Sequence, residues 1–389
     1  MRQVGADGLE FVRALQAVVG SRAVGLREPV FGGNEKRYLQ ECIDTGYVSS
    51  TGPFVARFEN DLADYAAAHN VIAVVNGTAA LHLALVALGI KPGDEVIVPA
   101  LTFVATANAV AMAGAVPHFV DVSWETWGIS AEKLRSYLSE LLQQRDGSFF
   151  NRKTGRPVTA VVPMHTLGFL ADADGVAEVA KEFGLALVED AAEALGSFVG
   201  GVHAGLAGQA GVFSFNGNKT ITTGGGGAII TRDSSLAKRI RHLATTAKLP
   251  HRYEFEHDIV GYNYRMPNLN AALGVAQLEQ LPAFLERQRT LHLIYAEALD
   301  SLEMGFSASE RPGTVSNYWL QAFVLDSNCA ESKNAIIETC LDNEIAVRPL
   351  WKPLNRLAAH HSSPSDDTPV ADELYSRVIC LPSSPKLAS

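Results

Sequence analysis

The stretch "SFNGNKTITTGGGG" (Ser214–Gly227) decides how this chain is read. Lys219 stands on a short polar turn, and four consecutive glycines, Gly224–Gly227, follow it. The apolar run Gly211–Phe215 leads in, Ala228–Thr231 leads out, and both have strand composition. A glycine-lined turn between two buried strands lets the backbone approach something closely. A lysine at its tip is a solvated surface charge, a phosphate ligand or a nucleophile. A nucleotide-binding P-loop does not fit. That loop puts Gly directly before its lysine, whereas here Asn218 precedes Lys219 and the glycines come after it.

Outward from this stretch the chain alternates strands and helices. Strands are expected at Val71–Val75, Glu95–Val98, Val116–Val120, Val158–Pro163, Leu185–Glu189, Gly211–Phe215 and Ala228–Thr231, with helical segments such as Thr78–Leu88 and Val104–Ala113 between them. This alternation predicts an α/β fold, a mostly parallel sheet covered on both faces. Sites in such sheets form at the carboxyl ends of the strands. From Pro267 to about Leu302 the pattern is helical, with a kink or break at Pro282. Asn317–Asp326 reads as a strand, Cys329–Asn343 as a helix and Ile345–Pro349 as a strand. The expected organisation is an N-terminal helix in residues 1–25, a large α/β domain in 26–265, and a smaller C-terminal α+β domain in 266–389 entered by the long helix. His360–Pro369 reads as a polar surface loop.

Composition narrows the function classes. The 389 residues are 47% hydrophobic and 19% charged, as in ordinary globular enzymes. A formal net charge of −10 disfavours a nucleic-acid partner, which calls for a basic field. No run is long and apolar enough for a membrane span. The N-terminus lacks the apolar core of a signal peptide and reads as an amphipathic helix. The cysteines Cys42, Cys329, Cys340 and Cys380 are far apart and form no metal-type pair, so no metal is expected. A reduced, cytoplasmic protein with buried thiols is the simplest account.

Several strand ends carry candidate chemistry. In "VVNGTAALHLAL" (Val74–Leu85) a strand ends at Asn76-Gly77 and a buried helix starts at Thr78 or Ala79. Its first amides and the Thr78 hydroxyl suit a phosphate, although a plain N-cap fits the same residues. "LALVEDAAEALG" (Leu185–Gly196) delivers Glu189 and Asp190 to a strand end, with Glu193 one helical turn on. Either acid is a helix cap or a partner for a cationic ligand. Phe103 is a core residue or a platform for a flat ring. His165, a lone histidine at a strand end, fits a structural role. Asn263 and Arg265 lie in a polar turn before the long helix. Taken together, a lysine on a tight loop, an acid at a strand end, a helix N-terminus and an aromatic are what pyridoxal phosphate requires of its aldehyde, ring nitrogen, phosphate and ring face.

The motifs "NGTAALHLAL", "PALTFVATANAV", "VEDAAEALGS", "SFNGNKTITTGGGG" and "GYNYRMPNLNAALGVAQLEQL" resemble those of the DegT/DnrJ/EryC1/StrS nucleotide-sugar aminotransferases, from about Leu26 to the end of the chain. The opening "LREPVFGGNEKRYLQECIDTGYVSSTGPFV" resembles the subgroup of 4-aminotransferases in the legionaminic-acid and bacillosamine pathways. The resemblance implies fold type I of the pyridoxal-phosphate enzymes, with a seven-stranded sheet. It implies Lys219 as the cofactor-bearing catalytic lysine and Asp190 as the acid on the pyridine nitrogen. Gly77, Thr78, Ala79, Ser214 and Asn216 join the cofactor contacts, with Phe103 stacked on the ring. Asn263 contacts the cofactor phosphate of a neighbouring subunit, so a homodimer with a shared site is expected. Asn34, Tyr47 and His165 are implied as substrate contacts. Glu193 stands where many members carry a Gln contacting the ring hydroxyl, and Gly225 replaces a Glu common in "TTGEGG" loops. The implied activity moves an amino group from L-glutamate to the 4-keto carbon of a UDP- or GDP-linked 4-keto-6-deoxy-N-acetylhexosamine, for bacterial surface glycans. A sister group of pyridoxamine-phosphate-dependent dehydratases has His in place of this lysine, so Lys219 weighs against dehydration. A non-catalytic regulatory protein holding the cofactor is weighed against by the full set of catalytic matches. The chain ends at "ICLPSSPKLAS", before a further short helix that the resemblance implies.

Overall fold

The computed structural model describes residues 2–20 and 23–388. Seven strands form the main sheet: β1 (Asn70–Val74), β2 (Glu95–Pro99), β3 (Val116–Val120), β4 (Val158–Val161), β5 (Ala186–Asp190), β6 (Ala210–Ser214) and β7 (Gly227–Thr231). They lie in the order β1-β7-β6-β5-β4-β2-β3. β3, β2, β4, β5 and β6 are mutually parallel, and β7 runs antiparallel to both of its neighbours. Each of the seven expected strands is present, Val116–Val120 at its expected bounds and the others shifted by a residue or two at one or both ends. They form because valine, isoleucine and alanine runs bury both faces of a sheet sandwiched between helices.

The helix Gly77–Ala87 follows β1 and is buried on almost every side. It packs between the sheet and the helices Val104–Met112 and Ser234–Ala244. This explains why its sequence is apolar all round rather than along one stripe. Asn76 caps it, accepting the Ala79 N–H at 2.7 Å. A Cβ on Gly77 would lie 2.8 Å from the Ser214 Cβ, so glycine is what allows the helix start to sit against the end of β6.

The second half of the chain builds a four-stranded sheet, β8 (Gly305–Ser307), β9 (Gln321–Leu325), β10 (Arg348–Pro349) and β11 (Val378–Leu381), in the order β8-β9-β11-β10. The long helical region is two helices, Asn268–Leu278 and Leu281–Leu299, with Pro282 in the first turn of the second. The N-terminal helix runs Arg2–Val19, Met1 lying outside the described residues, and buries Phe11, Val12 and Leu15 in the same core as Ile336 and Leu381.

Four expectations are corrected. Of the strand expected at Ile345–Pro349 only Arg348–Pro349 is strand, Ile345 making an isolated bridge with Val24. The strand expected at Asn317–Asp326 begins only at Gln321, because the Asn317 side chain accepts the Trp319 N–H and folds 317–320 into an irregular turn with Tyr318 at φ 45°. Of Cys329–Asn343, only Lys333–Asp342 is α-helix, after a 3-10 segment at Ser327–Ser332. His360–Pro369 is not simply a surface loop. His360 is buried against the Phe119 ring, and Pro364 and Asp366 exchange backbone hydrogen bonds with Phe119, covering the open edge of β3. Cys42, Cys340 and Cys380 are buried and Cys329 is half-buried. Among the described residues, no helix is long and apolar enough to cross a membrane.

Candidate active site

The carboxyl ends of β1, β5 and β6 open into a cavity of about 600 Å³, closed on its far side by the smaller sheet. Gly77, Thr78, Phe103, Asp190, Glu193, Ser214, Asn216 and Lys219 all line it. The parallel sheet brings them together, since each follows or ends a strand whose carboxyl end faces the same way.

Lys219 reaches into the cavity from the turn after β6. Its Nζ lies 3.3 Å from Glu193 Oε1 and 4.1 Å from the centroid of the Trp319 ring. The other Glu193 oxygen accepts the Leu167 N–H at 2.9 Å, an amide presented by a residue at φ 56°. Burial pushes the Glu193 carboxyl up to about 7, against the pull of the Lys219 ammonium and the Leu167 amide.

Asp190 sits at the end of β5. Its Oδ2 accepts the Thr106 hydroxyl at 2.7 Å and its Oδ1 the Ala192 N–H at 3.2 Å. Neither donor is a cation, and burial raises this carboxyl above its ordinary value despite those bonds. A buried carboxylate in this state is stabilised by a cationic ligand group. Across the cavity the helix Gly77–Ala87 begins. The Gly77 and Thr78 amides have no partner within the helix, and the hydroxyls of Thr78 and Ser214 stand beside them. These groups form an anion cradle. Phe103 is 47% exposed on the cavity wall, with its ring edge-on to Trp351.

Five expected site residues lie elsewhere. The Ala79 amide is taken by the Asn76 side chain, so the cap leaves Ala79 nothing to donate. His165 is buried with both ring nitrogens engaged. Its Nδ1 accepts the Ala171 N–H at 3.1 Å, so the proton is on Nε2, which donates to Glu189 at 3.0 Å. This is a structural histidine, as a lone strand-end histidine most simply is, and not a group facing substrate. Asn34 donates to Glu279 at 2.7 Å on the N-terminal segment. Tyr47 and Asn263 are exposed and line no part of the cavity of their own chain.

Other residues at the site were not expected from sequence. Trp319 covers Lys219, Asn317 bonds the Glu193 and Leu195 carbonyls, and Arg348 and Lys352 bring positive charge to the cavity wall. Their signal was hidden in "NYWLQAFVLD" and "VRPLWKPL", where alternating apolar residues read as strand. Among the described residues no cluster of His, Cys, Asp or Glu could hold a metal ion.

Comparison with known proteins agrees with this geometry. Residues 30–389 match the model of the DegT/DnrJ/EryC1/StrS aminotransferase family. The chain is 37% identical over 362 residues to a GDP-perosamine synthase of Escherichia coli O157:H7, covering 93% of each chain. It is 36% identical to a GDP-perosamine synthase of Vibrio cholerae, over 92% of this chain and 94% of that protein. Among solved structures, the aminotransferase TlmJ from Streptoalloteichus hindustanus superposes with a TM-score of 0.83 at 30% identity, over 93% of this chain and 94% of that one.

Proposed function

Because the chain belongs to the DegT/DnrJ/EryC1/StrS aminotransferase family, whose cofactor is pyridoxal phosphate, we propose that it transfers an amino group from L-glutamate to the 4-keto carbon of a nucleotide-linked 4-keto-6-deoxy sugar. The observation that carries this reading is the meeting of Lys219, Asp190 and the Gly77–Thr78 helix start in one cavity. The donor set fits the cofactor. An amine, a carboxylate lacking a cationic partner and an anion cradle match its aldehyde, ring nitrogen and phosphate.

When bound, pyridoxal phosphate supplies an electrophilic carbon and an electron sink. Lys219 is the residue to carry it, since its Nζ is the amine that reaches the cavity between Glu193 and Trp319. Asp190 would hold the proton on the ring nitrogen through its buried carboxylate. Thr78, Ser214 and the Gly77 amide would hold the phosphate, and Phe103 would flank the ring. With the cofactor bound, the Lys219 amine would serve as the base and acid that moves protons at the donor and sugar carbons. The Trp319 ring covers one side of that nitrogen. Arg348 and Lys352 suit the diphosphate of a nucleotide sugar.

The finer reading is a UDP- or GDP-linked N-acetylhexosamine, and the two relatives named GDP-perosamine synthase favour GDP. We also assign the enzyme a homodimeric form with a shared site. Tyr253, Phe255 and Val260 are 75, 78 and 83% exposed on one loop just before Asn263, an apolar surface suited to a second copy. The substrate reading is tested by mass spectrometry of reactions with a panel of UDP-, GDP- and TDP-linked keto sugars and L-glutamate. An aminated product, heavier than its keto sugar by the replacement of an oxygen with a nitrogen and three hydrogens, is expected from a 4-keto-6-deoxy sugar. Conversion of none of the panel would refute it.

A further inference from the structure

We propose that Arg27 is a positioning residue for Lys219, the hub of a clamp on three consecutive residues at the tip of the lysine turn. This rests on the reading of Lys219 as the cofactor-bearing lysine. The Asn218 carbonyl accepts the Trp319 indole N–H at 2.7 Å. The Lys219 carbonyl accepts Arg27 Nε at 3.4 Å. The Thr220 hydroxyl accepts Asn317 Nδ2 at 3.2 Å. Arg27 also donates through Nη1 to the carbonyls of Trp319 at 2.7 Å and Ser383 at 2.6 Å. One side chain therefore joins the lysine turn, the residue whose ring covers the lysine amine, and the C-terminal segment.

The chemistry of Arg27 separates this role from simple packing. It is only 9% exposed and makes no ion pair among the described residues. Its hydrogen-bond partners are backbone carbonyls, and burial lowers its guanidinium to about 9. A buried cation without a carboxylate is an unfavourable element to keep. An apolar side chain would fill the space without that penalty, but would leave the Lys219 and Trp319 carbonyls unpaired. A lysine would not replace it, because a single ammonium lacks the planar fork that spans carbonyls on separate segments. The reach of Nζ into the cavity follows from where the Lys219 backbone is held. A displacement of roughly 1 Å at such a group is enough to lower a rate by about 10²-fold.

The test uses the full-length holoenzyme with Arg27→Met and Arg27→Lys. Thermal melting establishes that each variant is folded. The visible circular dichroism of the bound cofactor then reports its fixed orientation, and acetylation of Lys219 in the cofactor-free protein against pH, followed by peptide mass spectrometry, reports the state of the amine. We expect folded Arg27→Met to lose about 10²-fold in kcat with little change in KM for L-glutamate. Its visible dichroism should be weaker and its Lys219 acetylation profile displaced. Arg27→Lys should recover little of this. A folded Arg27→Met with wild-type kcat, dichroism and acetylation profile overturns the proposal. If Arg27→Met does not fold, Arg27→Lys decides in the same way, wild-type values refuting the clamp and a displaced profile supporting it. A Lys219→Ala control that kept the visible cofactor band would instead sink the reading of Lys219 itself.

Discussion

Lys219 and Asp190 make different demands on the same cavity, and each can be removed separately. Lys219→Ala should lose the visible cofactor band and turnover together, because the other lysine on the cavity wall, Lys352, lies on the segment after β10 and not on the β6 turn. Absorption spectra and assays with L-glutamate and a keto sugar check this. Asp190→Asn should keep cofactor but lose more than the roughly 10²–10⁴ in rate typical of one acid–base group, since an amide cannot hold the ring nitrogen protonated. A near-wild-type rate would make Asp190 a helix cap. Glu193 gives a pH signature in the cofactor-free protein. Its carboxyl is raised in the folded state to about 7 from an ordinary 4.5. The folded protein therefore holds a proton that the unfolded chain has released, and this contribution to stability falls as pH rises from about 4.5 to 7. Glu193→Gln, a mimic of the protonated form, should gain melting temperature relative to wild type on going from pH 5 to pH 8. A difference that is the same at both pH values would contradict this.

At the scale of elements, the site is legible where local pattern and fold agree. The seven strands are apolar runs bounded by turn residues, and the Asn76-Gly77 and Asn218-Lys219 turns announce strand ends. What stayed hidden depends on contacts across the chain. Trp319 reaches Lys219 because Asn317 bonds carbonyls of Glu193 and Leu195, more than 120 positions away, and no local period carries that information. His165 illustrates the opposite error. The resemblance implied substrate contact, whereas its place at a strand end fits a structural role, and it forms a fixed pair with Glu189. Burial opposes the Glu189 carboxylate, but bonds from His165 and from the Gly205 and Gly208 amides outweigh it and hold the acid below its ordinary value. The Ala207 amide adds a further bond at 2.6 Å. Glu189→Gln would turn an NH₂ group toward these donors. It should destabilise the fold by about 1–3 kcal/mol, the scale for one buried polar group left unpaired. Denaturant unfolding checks the loss. Per folded molecule, the rate with glutamate should change far less than in Asp190→Asn.

The whole molecule places the cavity between the seven-stranded and four-stranded sheets, with an exposed apolar loop near Asn263. Neither Asn263 nor Tyr47 lines the cavity of its own chain, as the proposed shared-site homodimer requires of Asn263. Lys219→Ala mixed with an inactive Asn263→Glu variant should recover up to about a quarter of wild-type activity after subunit exchange, because a heterodimer has one intact site of two. Proven exchange with no recovery would place both residues in one site. The central claim is that this cavity performs transamination on Lys219-bound pyridoxal phosphate, and one spectrum tests it most directly. L-glutamate added to the loaded enzyme without sugar should remove the visible band and raise that of the pyridoxamine form, and a 4-keto-6-deoxy nucleotide sugar should then restore the first band. A loaded enzyme whose spectrum is unchanged by L-glutamate and by other amino donors would contradict the account.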